Sequence, residues 1–166
     1  MGLVENINKE LIQLIGYSST SPKVVRLQAT GNVQIEIDFV AVDSMSCALQ
    51  EIRLNVPQFV DADFDILRQW AEALSQRVTY LLENIGPLEL DADAGQVLIR
   101  STPPQKQGGT TLFYEVLLKS HAGGNFSLKR YESKSGAGGR QPVDLQTTHE
   151  LLRKLIVDLI DTIPVS

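Results

Sequence analysis

Apolar positions along this chain recur with two periods, and the periods partition it into helices and strands. Leu3, Val4, Ile7, Leu11, Leu14 and Ile15 fall three and four apart, which predicts a helix over 3–15 that stops at Gly16. Tyr17 to Pro22 reads as a loop. Val25, Leu27 and Ala29 then alternate with Arg26 and Gln28, Gly31-Asn32 makes a turn, and Val33, Ile35, Ile37, Phe39 and Ala41 alternate with Gln34, Glu36 and Asp38. This is the period of a half-buried strand. A third strand covers 47–56, with Ile52, Leu54 and Val56 opposed to Glu51, Arg53 and Asn55, and Pro57 closes it.

The next segment returns to the helical period. Leu67, Ala71, Leu74, Val78, Leu81 and Ile85 predict a helix over 64–85, with Asp61, Asp63 and Asp65 at its positive end and Gly86-Pro87 as its stop. Such a helix is about 33 Å long, the reach of a ten-residue strand, so it can lie along the sheet. Beyond it come a short strand 88–91, a turn at Asp91–Gly95, and strands 96–102, 111–119 and 126–132. Two loops interrupt them. Residues 103–110 carry Pro103-Pro104 and Gly108-Gly109, and 133–142 is rich in Gly and Ser. Thr147-Thr148-His149-Glu150 has the spacing of a capping box, and Leu151, Leu152, Leu155, Ile156, Leu159, Ile160 and Ile163 form a closing helix.

The order is α-βββ-α-ββββ-α. Every strand-to-strand link is short, which predicts antiparallel hairpins. The fold class is therefore α+β: a single two-layer domain over 1–166, with helices on one face of an antiparallel sheet. This order of elements resembles the type III secretion chaperone-like fold, whose members are small, acidic and often dimeric. The resemblance implies a protein-binding module.

Composition narrows the class. The 166 residues are 43% hydrophobic and 21% charged, which excludes a disordered chain, and the single cysteine, Cys47, cannot form an internal disulfide. The charged start of the chain does not fit a signal peptide, and no apolar run approaches a membrane span, so a cytoplasmic protein without membrane contact is expected. The net charge of −5 is unevenly placed: −8 over 1–99, +5 over 100–140 and −2 over 141–166. An acidic body with a basic patch argues against bulk nucleic-acid binding and leaves room for a local anion site.

Motifs for catalysis are sparse, and none calls for a cofactor or a metal. Asp91-Ala92-Asp93-Ala94-Gly95 starts like a calcium loop, but Gln96 and Thr102 stand where that loop needs Gly and Glu, so it reads as a hairpin turn. Cys47 lies among apolar and small residues and reads as a buried thiol. His121 and His149 are too few for a three-histidine metal site, and no Gly-x-Ser-x-Gly elbow occurs. Ser135 to Arg140 is glycine-rich, yet no helix follows it directly to complete a phosphate loop.

Two features stand out as candidate sites. Strands 96–102, 111–119 and 126–132 alternate in direction, which places loops 103–110 and 133–142 at one end. That end gathers Arg100, Lys106, Arg130, Lys134 and Arg140 into a basic, ligand-binding edge. On helix 64–85, Ile66, Trp70, Ala73 and Tyr80 widen the apolar stripe, with Arg77 among them in reach of the Tyr80 ring. One sheet needs a narrower face, so the surplus predicts cover by the N-terminal helix, by a second copy in a homodimer, or by a protein client. The reading is thus a non-catalytic, chaperone-like protein-binding module acting as a dimer. A small anion-ligand-binding protein is the alternative, and an enzyme whose motif the sequence does not display is a third.

Overall fold

The computed structural model describes residues 2–59, 63–81, 84–102, 105–120, 125–134, 136 and 138–164, with the side chains at 84–88, 102, 105 and 107 left out. The alternating segments pair into one antiparallel sheet in the order β1-β2-β3-β8-β7-β5-β4. These are Ser18–Gln28, Gln34–Val42, Ser46–Asn55, Phe126–Lys134, Thr110–Lys119, Gln96–Thr102 and Asn84–Asp91. Three helices, α1 (Leu3–Leu14), α2 (Phe64–Arg77) and α3 (His149–Asp161), complete the α+β fold. Ile35, Ile37, Ile52, Leu54, Val97 and Ile99 point to the helices and join Leu67, Leu74, Leu155 and Leu159 in one buried cluster. Val78 and Leu81 belong to it as well, so the core expected from periodicity is the core observed.

Three strands were not legible as periods because each is only three or four residues long. β6 (Gln105–Gln107) pairs with β7, β9 (Gln141–Val143) with β8, and β10 (Leu145–Thr148) with β3. The last two occupy a fork. β3 pairs with β8 only over Ile52–Leu54, and over Ser46–Leu49 its neighbour is β10 instead. The chain that leaves β8 thus turns back as β9 and enters the gap between β8 and β3 as β10.

The structure corrects four boundaries. The second helix ends at Arg77, not at 85: Val78 leaves helical geometry at φ −98° and ψ 69°. The run Val78-Thr79-Tyr80 is β-branched and aromatic, which disfavours helix. Gly86-Pro87, expected as the helix stop, lies inside β4, an outer strand of the sheet where a proline without an N–H is tolerated. The expected loop 17–22 opens β1, whose register shifts between Ser18 and Lys23, and the Tyr17 hydroxyl donates to the Ser21 carbonyl at 2.6 Å. The α3 cap is Thr148, whose Oγ1 accepts from the Leu151 amide at 3.1 Å, one residue after the expected Thr147. Pairing of Thr147 with Cys47 in β10 holds that residue in the sheet.

The surplus stripe on α2 is covered inside the chain. Trp70 is fully buried, and its Nε1–H donates to Thr162 Oγ1 at 3.1 Å beyond the end of α3. Phe59 meets the indole edge-on at 5.2 Å, and Phe126 lies 5.6 Å away. Tyr80 donates its hydroxyl to Asp158 Oδ2 at 2.6 Å. Burial first, and that hydrogen bond second, push the Tyr80 phenol above its ordinary pKa. Arg77 does not lie on the Tyr80 ring. It reaches Asp158 at 3.2 Å and Asp161 at 3.3 Å, while Lys154 stands over the ring at 4.7 Å and also contacts Asp158 at 3.3 Å. Ile66 and Ala73 are half-buried, Ile66 against the core. Helix α3 therefore supplies the cover, and α1 packs beside α3 and β1, with Arg153 donating to Asn8 at 3.0 Å.

Two substitutions test these contacts in urea melts. Thr148→Ala should cost ~1 kcal/mol through loss of the cap, and Thr147→Ala less than about half of that. Asp158→Ala should cost ~2–4 kcal/mol, because it strands Tyr80, Arg77 and Lys154 around a vacated acceptor; the half-exposed cations keep the loss below that of a fully buried pair.

Candidate anion-binding site

The face of the sheet turned away from the helices is polar, and most of its charges cancel. Arg53 bridges Asp38 at 2.8 Å and Glu51 at 3.1 Å, Arg26 meets Glu36 at 3.3 Å, and Lys129 lies 3.9 Å from Glu51. At the β5-β7-β8 end the balance changes. Alternation along β7 sends Tyr114 and Val116 into the buried cluster and Thr111, Phe113 and Glu115 to the open face. The register then sets Arg100 of β5 and Lys129 of β8 opposite Glu115, and Tyr131 opposite Phe113.

Two arginines converge there. Arg100 Nη2 reaches Glu115 Oε2 at 3.3 Å, and its guanidinium stands over the Phe113 ring at 4.8 Å. Arg140, from the segment between β8 and β9, donates to Glu115 Oε1 at 2.8 Å and stands over Tyr131 at 4.3 Å. Phe113 and Tyr131 stack with centroids 5.9 Å apart, so the rings form a floor under both cations. Glu115 is 7% exposed. Beside this group lies a cleft of about 430 Å³ lined by Arg100, Thr111, Phe113, Ser133, Gly139 and Arg140. Gly139, at φ +83°, lets the backbone turn at the cleft wall.

The donors outnumber their acceptor. Each guanidinium has five N–H donors and gives one to Glu115 through Nη2. Arg100 Nε is buried and has no hydrogen-bond partner among the described residues. A buried donor left unpaired costs ~1–3 kcal/mol. With two cations around one carboxylate, the cleft carries excess positive charge on an otherwise acidic protein.

Of the five basic residues expected at this end, the structure brings Arg100 and Arg140 together. It also sets Lys106 on the same face, opposite the cleft residue Thr111. Arg130 and Lys134 are a correction. Both stand at even positions of β8, and alternation turns them to the other face. Arg130 is buried there over the Tyr114 ring at 4.2 Å, and Lys134 lies 3.9 Å from Glu132. Sequence reasoning placed five charges at one end without separating the two faces. It also missed Glu115, Phe113 and Tyr131, whose signal is their shared parity across paired strands.

The remaining candidates resolve into local structure. Asp65 binds Arg68 and Gln69 instead of capping backbone amides, and the Asp63 side chain makes no cap hydrogen bond. Asp61 and His121 lie outside the described residues, as do Ser135 and Ala137 of the glycine-rich loop. Asp91 accepts from the Ala94 amide in a hairpin turn. Cys47 is buried, and desolvation pushes its thiol up to about 12, so it is not a thiolate at neutral pH. A larger cleft of about 630 Å³, lined by Tyr17, Ala41, Asp43 and Ser46 among others, has no basic side chain among its described lining residues. Hydrogen bonds from the Met45 and Ser46 amides hold the Asp43 carboxyl below its ordinary pKa, and His149 Nε2 faces the Ser46 carbonyl at 3.1 Å. Among the described residues, no group of three or more His, Cys, Asp or Glu side chains is placed to hold a metal ion. No helix of the described residues is long and apolar enough to cross a membrane. No protein-family model, curated protein or solved structure matches the chain.

Proposed function

We propose that this protein is a non-catalytic binding module that holds an anionic ligand, of the phosphate or carboxylate type, in the cleft between Arg100 and Arg140. The observation that carries this reading is the pair of guanidiniums, from Arg100 and Arg140, that share the single carboxylate of Glu115 at the cleft. Charge-assisted hydrogen bonds from arginine forks suit such oxyanions, and the hydroxyls of Thr111 and Ser133 line the same cleft. Inorganic phosphate at about 50 mM should raise the melting temperature by several degrees if the site binds with a Kd below about 1 mM. Arg140→Ala should abolish the rise. A wild-type melt that phosphate leaves unmoved overturns the reading.

A second reading, protein docking, is favoured by a different surface from the one the sequence suggested. Four of the five exposed large apolar side chains among the described residues, Val4, Ile12, Ile15 and Met45, lie along α1 and in the β2–β3 turn. The Gly16 amide bonds the Val42 carbonyl, which brings the end of α1 beside that turn. Ile12 and Met45 are 69% and 75% exposed. Clustered apolar surface of this kind marks interaction sites, and the chaperone-like order of elements supports the same view. The occupant argued here is a second copy, since antiparallel pairing of two α1 helices sets Val4 against Ile15 of the other copy. Sedimentation should then give a dimer that Ile12→Asp converts to monomer with an unchanged melt, and a monomeric wild-type protein overturns this docking mode.

A further inference from the structure

Resting on the anion-binding reading, we infer that Glu115 is the site's own competing anion, and that a ligand binds by taking Arg140 away from it. The two arginines that hold Glu115 are anchored differently. Arg100 is fixed in β5, a strand paired on both sides. Arg140 lies outside any strand, between Gly139 and β9. The backbone before it runs through Gly136 and Gly139, both at positive φ, and a Cβ built at Gly136, Gly138 or Gly139 would meet nothing within 4 Å. These three glycines therefore have no side-chain packing to lose when they shift. Among the described residues, the links from 138–140 to the sheet are the Arg140 contacts to Glu115 and Tyr131 and a 3.4 Å hydrogen bond from Ser133 Oγ to the Gly139 carbonyl.

Glu115 has a second cation in reach when Arg140 departs. Lys129 faces it directly across the β7–β8 ladder, and among the described residues its one ion pair is a 3.9 Å contact to Glu51. The exchange is thus one carboxylate moving from Arg140 toward Lys129, while a ligand oxygen takes the vacated guanidinium and another meets the partly exposed guanidinium of Arg100. No charge is left without a partner at either stage. Glu115 consequently sets the affinity: with it in place, only an anion that outcompetes an internal carboxylate is retained, and residues 138–140 shift when the site fills.

The sign of one substitution separates this from a purely structural ion pair. Glu115→Gln removes the competitor and raises the local charge, so inorganic phosphate should bind about tenfold tighter by calorimetry, although the unliganded protein melts lower. Glu115→Asp keeps the charge but shortens its reach by one methylene, and should fall between wild type and the Gln variant. It serves alone if the Gln variant does not fold. Phosphate binding that either variant shows and the wild type lacks overturns the anion-binding reading, and with it the exchange in the native chain. Wild-type binding that the variants match or weaken overturns the competition and leaves the anion-binding reading standing. No binding by wild type or variants overturns both.

Discussion

Side-chain alternation across a wide antiparallel sheet is the constraint on which the rest of this structure depends. Neighbouring strands keep their registered pairs on the same side, so in β5, β7 and β8 one parity choice decides what meets the helices and what meets water. One side gathers aliphatic side chains under α1, α2 and α3. The other gathers charge. A one-residue slip in β7 would bury Glu115 among leucines and expose Val116 and Leu118, and for that reason the register is firmly specified. The candidate site is a product of this rule: Arg100, Glu115, Phe113 and Tyr131 come from three strands and share only their parity.

The helical layer is fastened by polar contacts where apolar packing runs out. Helices α2 and α3 meet through Asp158, which gathers Tyr80, Arg77 and Lys154, and through Trp70 on Thr162. A fully buried carboxylate would carry a heavy desolvation penalty. Here the cations that face Asp158 remain about half exposed, which lowers that penalty while they still supply the counter-charge. The same contacts account for the wide apolar stripe of α2 without a second molecule.

Much of the fold was legible in the sequence, and the reason is length. The seven strands of the main sheet path each show a period of two or a flanking turn, and the core residues from Ile35 to Leu159 follow from periodicity alone. What escaped had no period to show. β6, β9 and β10 are too short, and the pairing of β9 and β10 is set by the fork between β3 and β8, a long-range effect. The end of α2 at Arg77 was hidden because Val78 and Leu81 are buried as the helical pattern demands, yet they reach the core from a non-helical backbone. At the candidate site, the loop topology correctly brought Arg100 and Arg140 to one end. It did not divide the charges by parity, which distinguishes Arg100 on the open face from Arg130 beneath it.

The placement of the helices also bears on how the chain reaches its native state. Strands β1 to β3 form one meander and β4, β5, β7 and β8 another, joined by three residue pairs between β3 and β8 and by the β9–β10 return. Helix α2 follows the first meander in sequence but packs on β4, β5 and β7 of the second, whereas α3 follows the second and packs against α1 and β10, on the side of the first. Each half thus leaves its apolar face bare until the other arrives. During synthesis the first meander emerges after α1, whereas α3, which packs on α1 and β10, follows only after the whole second meander. Such non-local closure makes for slow, all-or-none folding, and the half-made chain is the state most exposed to aggregation.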